Sequence, residues 1–240
     1  MNWDDVLARA RACEVKAHRH LPPSLYHTAP VWNGHPPQRP DEILPPNEEL
    51  PRTLFISESP LYTLGEPKPF FWSRGEDNLR AKLSLALHLA HQQMGDDASL
   101  TSAADIARDG FYLLPSFPYP FAKNNGDNWD PPRRVLQTTV PYLSAAMDYI
   151  QPRYVVLLGR RALWSAIFLG LVSVRKEDPQ SRFGPTVAPY AALNPHERRR
   201  GVRAFAAYAP GTTGAAKWRD LVRTLALILS EREEEKSRRF

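Results

Sequence analysis

The run Tyr154-Val155-Val156-Leu157-Leu158 is apolar throughout and is followed at once by Gly159. A strand that is apolar on both faces must be covered on both, which is the situation of a central strand in a parallel sheet between helices. Three other short runs read as strands: Thr53 to Ile56, Phe111 to Leu114 and Ala204 to Tyr208. Between and after them lie helical patterns. Asp77 to Gln93 repeats Leu79, Leu83, Ala86, Leu87 and Ala90 at helical spacing, with Asp77 placed to cap it. Val135 to Tyr149, Ala162 to Leu169 and Ala215 to Glu231 complete the set. This alternation predicts an α/β protein with three layers, α/β/α, around a central, mainly parallel four-stranded sheet.

The 240 residues suit one such domain. Residues 3 to 20 form an amphipathic helix with Val6, Leu7 and Ala10 on its apolar side, stopped by Leu21-Pro22-Pro23. Of the 24 prolines, 18 fall within 22–69 and 115–141, which predicts extended loops there. The expected organisation is therefore a helix and Pro-rich arm over residues 1–52, the α/β domain over 53–230, and a charged tail over 231–240. Glu231 to Glu235 with Lys236, Arg238 and Arg239 reads as a mixed charge run in solvent.

Right-handed crossovers collect the loops at the C-terminal ends of parallel strands. Ser57-Glu58-Ser59, Pro115-Ser116-Phe117, Gly159-Arg160-Arg161 and Ala209-Pro210-Gly211 then share one edge, and that edge is the expected site. Glu58, with Ser59 beside it, brings a carboxylate that can polarise a water. Phe71 brings a flat ring on a Pro-rich loop, with Phe70 and Trp72 as adjacent alternatives.

Thirty-one Lys and Arg against 26 Asp and Glu give a net charge of +5, which suits a partner carrying phosphates. Gly211, Thr212 and Thr213 precede a helix bearing Lys217, a pattern that accepts phosphate oxygens or simply caps a helix. Arg160 and Arg161 stand just past a strand end and are further phosphate candidates.

Other chemistry is poorly provided for. Cys13 is alone, so the chain holds no disulfide framework or thiolate metal site of its own. His18, His20, His27 and His35 sit on a helix end and the Pro-rich arm without paired acidic ligands, so no metal and no cofactor is expected. The acidic start and the lack of an apolar run of about 18 residues point to a cytoplasmic protein that avoids membranes, expected to be monomeric.

The order of these pieces resembles the uracil-DNA glycosylase superfamily. Ile56-Ser57-Glu58-Ser59-Pro60 comes first, then Phe71, Phe111-Tyr112-Leu113-Leu114-Pro115, Gln151 to Gly159, and Tyr208-Ala209-Pro210-Gly211-Thr212-Thr213-Gly214. The likeness runs from about Thr53 to Ile228. It is closest to the iron-sulfur branch, whose Gly-Glu-Ala-Pro-Gly motif precedes a stacking Phe by the thirteen residues that separate Glu58 from Phe71. The resemblance implies Glu58 and Ser59 at the catalytic position, Phe71, Tyr62 and Pro115 around the base, and Gly211, Thr212, Thr213, Lys217 and Arg160 on DNA phosphates, single- or double-stranded.

The departures fall on chemistry. Pro115 stands where the family has a base-reading Asn, and it has neither a side-chain amide nor an N–H. Ala209 stands where the family has a His that stabilises charge on the departing base, a loss typically worth about 10² to 10³ in rate. Tyr119 and Thr139 fall near two of the cluster cysteine positions. The expected function is accordingly a DNA glycosylase-like protein with weak or absent uracil activity and an altered base range, or a noncatalytic nucleic-acid or nucleotide binder on the same fold.

Overall fold

The computed structural model describes residues 3–18, 51–58, 62–63, 66–67, 78–118, 133–172, 201–207 and 215–238. Four of its strands are the four expected ones: β1 (Thr53–Ser57), β4 (Phe111–Pro115), β5 (Tyr154–Leu158) and β6 (Arg203–Ala207). They form one sheet in the order β4-β1-β5-β6, and every neighbouring pair is parallel. The register sets Thr53 against both Phe111 and Tyr154, and Tyr154 against Arg203. Two central strands, β1 and β5, are buried along their whole length. That follows from the apolar run of β5 and the apolar centre of β1, whose end residues Thr53 and Ser57 are buried though polar, since each methylene removed from water contributes about 0.8 kcal/mol.

The helices fall into two groups that cover the sheet. One contains α1 (Trp3–His18), α4 (Arg133–Thr138), α5 (Val140–Ile150) and α6 (Arg160–Phe168), which pack on one another. Trp3 of α1 and Tyr149 of α5 bring their ring centroids to 5.4 Å. The other contains α2 (Asn78–Gln93) and α7 (Ala215–Ser237), packed side by side. Trp3, Val6, Ala10 and Cys13 join the same hydrophobic cluster as the strands, so α1 is part of the main core. Phe55 and Phe111 stack within it at 5.7 Å.

Several elements depart from the sequence pattern for local reasons. The helix expected over Val135 to Tyr149 is two helices, broken at Thr139, with Pro141 in the first turn of α5. A proline in a helix interior loses its N–H bond and collides with the carbonyl four residues back, so a new helix starts where that donor is not needed. Thr138 and Thr139 close the break by donating their hydroxyls to the carbonyls of Val135 (2.7 Å) and Leu136 (2.8 Å). A short helix, α3 (Ala103–Arg108), was not expected; Ser102 and Asp105 form its reciprocal capping box. A two-residue pair, β2 (Tyr62–Thr63) with β3 (Glu66–Pro67), is antiparallel. Strand β4 runs one residue further than expected, to Pro115, which an edge strand's last position tolerates. Asp77 and the arm over 22–50 lie outside the described residues.

The largest correction concerns the tail. Helix α7 continues to Ser237, and Arg232 within the supposed solvated run is only 3% exposed. Its side chain donates to the carbonyl of Asp109 (2.6 Å) and covers the Phe111 ring, 4.7 Å from the centroid. Glu231 pairs with Arg203 at the start of β6. Glu235 accepts from Arg153 and from the Tyr154 hydroxyl, both at 3.2 Å, at the start of β5. Burial, reinforced by Glu235 and Glu231, holds the Tyr154 phenol above the usual range. Glu231, Arg232 and Glu235 thus tie the helix to the N-terminal ends of the strands, while Glu233 and Glu234 are exposed as expected.

His91 belongs to the same end of the sheet. Its Nε2 meets Asp109 at 2.9 Å and its Nδ1 meets Asp96 at 3.0 Å, while Arg232 approaches Asp109 from the other side. The hydrogen bond that His91 donates to Asp109 raises its pKa above the ordinary 6.5, with Asp96 adding and burial opposing. A raised folded-state value stabilises the fold fully below pH 6.5, and that contribution is lost as pH climbs through the raised value. Urea unfolding of the wild type is therefore expected to show stability falling from pH 6 towards pH 8. His91→Gln should flatten that part of the profile; an unchanged slope would show that His91 is not the titrating group.

Candidate functional site at the strand ends

In an open parallel sheet a ligand crevice forms where successive connections leave in opposite directions, outside the carboxyl ends of the strands. With the order β4-β1-β5-β6, the chain leaves β1 towards β4 and leaves β5 towards β6. The reversal therefore lies between β1 and β5. Glu58 is the first residue after β1 and Gly159 the first after β5, so both stand at this point.

The two loops are in close contact. A Cβ built on Gly159 would lie 2.7 Å from Glu58 Oε1 and 3.2 Å from its Cγ and Cδ. Gly159 itself has φ +97 and ψ 173, a conformation essentially reserved for glycine, and serves as the N-cap of α6. Its N–H donates to the carbonyl of Ala207 (2.9 Å), which fastens the end of β6 to the same loop. The carboxylate of Glu58 thus lies over the start of α6, where the partial positive charge of a helix N-terminus favours an anion.

Arg161, in the first turn of α6, completes the arrangement. Its Nη1 donates to Glu58 Oε2 at 3.2 Å. The Arg161 side chain is 10% exposed and that of Glu58 32%, so the guanidinium is enclosed while the carboxylate still meets solvent. Arg161 is therefore a clasp for Glu58, in place of the phosphate contact expected of it. The adjacent Arg160 is exposed.

The third loop closes against the first. Ser57 lies opposite Pro115 in the register of β1 and β4. Pro115 has no N–H, and the next donor, Ser116 N–H, reaches back to the carbonyls of Ser57 (2.7 Å) and Glu58 (3.1 Å). Ser57 Oγ and Ser116 Oγ are buried and make no hydrogen bond to any described residue. A buried hydroxyl left unpaired costs about 1–3 kcal/mol; the same holds elsewhere among the described residues, at Thr53 and Ser165 for example.

The described structure thus brings together Glu58 and Pro115 from the expected set, with Arg160 alongside. Tyr62 lies in β2 and Lys217 in the first turn of α7. Ser59, Phe71, Gly211, Thr212 and Thr213 lie outside the described residues. Two contributors, Gly159 and Ser116, were not assigned roles from sequence, and Arg161 was assigned a different one. Gly159 and Arg161 act through Glu58, and Ser116 through its N–H. The clue to the first two was Gly at the end of the most apolar strand; what concealed the contact is that Glu58 and Arg161 are 103 residues apart.

Among the described residues there is no cluster of three or more metal-ligating side chains, and no helix long and apolar enough to cross a membrane. A groove of about 420 Å³ between α2 and α7 is lined by Leu89, Gln92, Trp218, Val222 and Arg223 among others, none of them from the strand ends. No protein-family model matches this chain, and no curated protein matches it significantly.

Proposed function

We propose that the protein is a DNA glycosylase-like hydrolase of altered base range, with Glu58 as the water-directing carboxylate. The observation that carries this reading is the position of Glu58: a partly exposed carboxylate at the reversal point of a parallel sheet, its second oxygen held by Arg161. Hydrolysis breaks the bond between the sugar C1′ and the base nitrogen, joins a water oxygen to C1′, and transfers one water proton, through the solvent, to the nitrogen of the departing base. A carboxylate serves this by orienting the water and by stabilising the positive charge that develops on the sugar. Arg161 fixes where Glu58 points, and such positioning is part of what makes a catalytic group effective. In this reading Phe71 stacks on a base taken out of the helix, Gly211, Thr212, Thr213 and Lys217 meet phosphate, and the protein acts as a cytoplasmic monomer.

A second reading, a noncatalytic nucleic-acid binder, is favoured by two features of the same site. Arg161 neutralises the carboxylate that would do the chemistry, and Pro115 offers no hydrogen bond to a base edge. Labelled single strands and duplexes containing uracil, hypoxanthine, xanthine or no lesion separate the two. The glycosylase reading expects an abasic product from a deaminated base, with Glu58→Gln slower by about 10² or more. Binding without product would leave the binder, and neither binding nor product would overturn both.

A further inference from the structure

Helix α6 carries Arg160, Trp164 and Phe168 four residues apart, so they share one stripe rising about 6 Å per step. Trp164 and Phe168 stack at 6.2 Å with their planes 28° apart. Across from them, Arg133 at the start of α4 lays its guanidinium over the Trp164 ring, 3.5 Å from the centroid. Arg133, Arg134 and Arg160 are all exposed, and Trp164 and Phe168 are partly so. Neither α4 nor α6 carries a carboxylate, and of their four arginines only Arg161 is enclosed, against Glu58.

A guanidinium stacked by its face on an indole keeps its N–H donors in the plane, directed outward at the edge. That geometry suits the paired oxygens of a phosphate, and the stacking holds it ready before any ligand arrives. The stripe begins at Arg160, next to the Arg161 that clasps Glu58, so it leads away from the strand-end site along the outside of α6. Aromatic rings interleaved with arginines are also the composition with which proteins track a nucleic-acid strand.

We propose that the Arg133–Trp164 stack, with Arg134 and Arg160 beside it, is a backbone track for the nucleic acid whose reactive base occupies the strand-end site. This rests on the nucleic-acid reading given above, and charge complementarity is what selects a polyanion as the occupant. Arg133 contacts phosphate, and Trp164 acts by holding Arg133 in place.

The test is the salt dependence of binding, measured by fluorescence anisotropy with a labelled single strand and a labelled duplex. Each lost phosphate contact lowers the magnitude of the slope of log K against log salt by about 0.9 on duplex and about 0.7 on single strand. Arg133→Gln, a surface change, is expected to weaken binding and reduce the slope by that amount. Trp164→Leu keeps the charge, so it should weaken binding while retaining most of the slope. Circular dichroism of both variants establishes that the fold is intact, and Arg133→Gln carries the test alone if Trp164→Leu unfolds. Wild-type binding with an unchanged slope and affinity in Arg133→Gln would overturn the track while leaving the nucleic-acid reading in place. No wild-type binding to either oligonucleotide would overturn both.

Discussion

Gly159→Ala is expected to destabilise the protein by about 1–3 kcal/mol from backbone strain alone, because φ +97 with ψ 173 is a region that side chains exclude. A second effect adds to it. The new methyl would sit 2.7 Å from Glu58 Oε1, and relief requires the carboxylate to swing away. That movement breaks its bond to Arg161, whose guanidinium is enclosed and would be left without this partner. Denaturant unfolding should therefore register a marked fall in midpoint, and any activity that depends on Glu58 should fall with it. The two effects separate in a double-mutant cycle with Glu58→Ala. Removing the carboxylate eliminates the collision but leaves the strain, so the glycine substitution should be milder in that background. Equal effects in both backgrounds would mean that Glu58 does not lie over Gly159.

Arg232→Ala should have a still larger effect on stability. The side chain is enclosed, donates to the Asp109 carbonyl, approaches the Asp109 carboxylate at 3.9 Å and covers the face of Phe111. Burial pulls its pKa down while Asp109 pushes back, the mark of a cation held in place by its partner. Breaking a buried charge pair from one side costs about 3–5 kcal/mol, and the long carboxylate contact places the expected loss towards the lower end. Arg232→Met keeps the packing of the stem and loses only the polar contacts, so it should recover part of that loss. Urea unfolding of the three proteins at one pH is the measurement. A change below about 0.5 kcal/mol, the level of an ordinary surface substitution, would return the segment to the solvated tail that its composition suggests.

That contrast shows what the sequence makes legible here. The four strands are short apolar runs bounded closely by polar, glycine or proline residues, so period and length identify them without tertiary information. The edge on which Glu58, Pro115 and Gly159 meet followed from the alternation of strands and helices, which admits one sensible winding. Three things were hidden. The contact between Glu58 and Arg161 depends on β1 and β5 being neighbours, which no local pattern encodes. The break at Thr139 was signalled by Pro141 but outweighed by the apolar periodicity around it. Glu231 to Glu235 reads as a solvated face because charge is usually exposed, yet one arginine in that run points inward and its neighbours reach basic or hydroxyl partners on two strands. His91 shows the same difficulty on a smaller scale, since its two carboxylate partners come from outside its helix.

The placement of β1 also has a consequence for how the molecule is made. The first strand of the sheet to be synthesised sits inside it, and its partner β5 lies roughly a hundred residues further along the chain. At ribosomal speeds of about 5–20 residues per second, one hydrogen-bonding edge of this apolar strand waits on the order of 5–20 s for its neighbour to emerge. During that interval the nascent chain presents a template for pairing with other chains, so the yield of soluble protein should depend on chaperone supply and growth temperature more than its final stability would suggest.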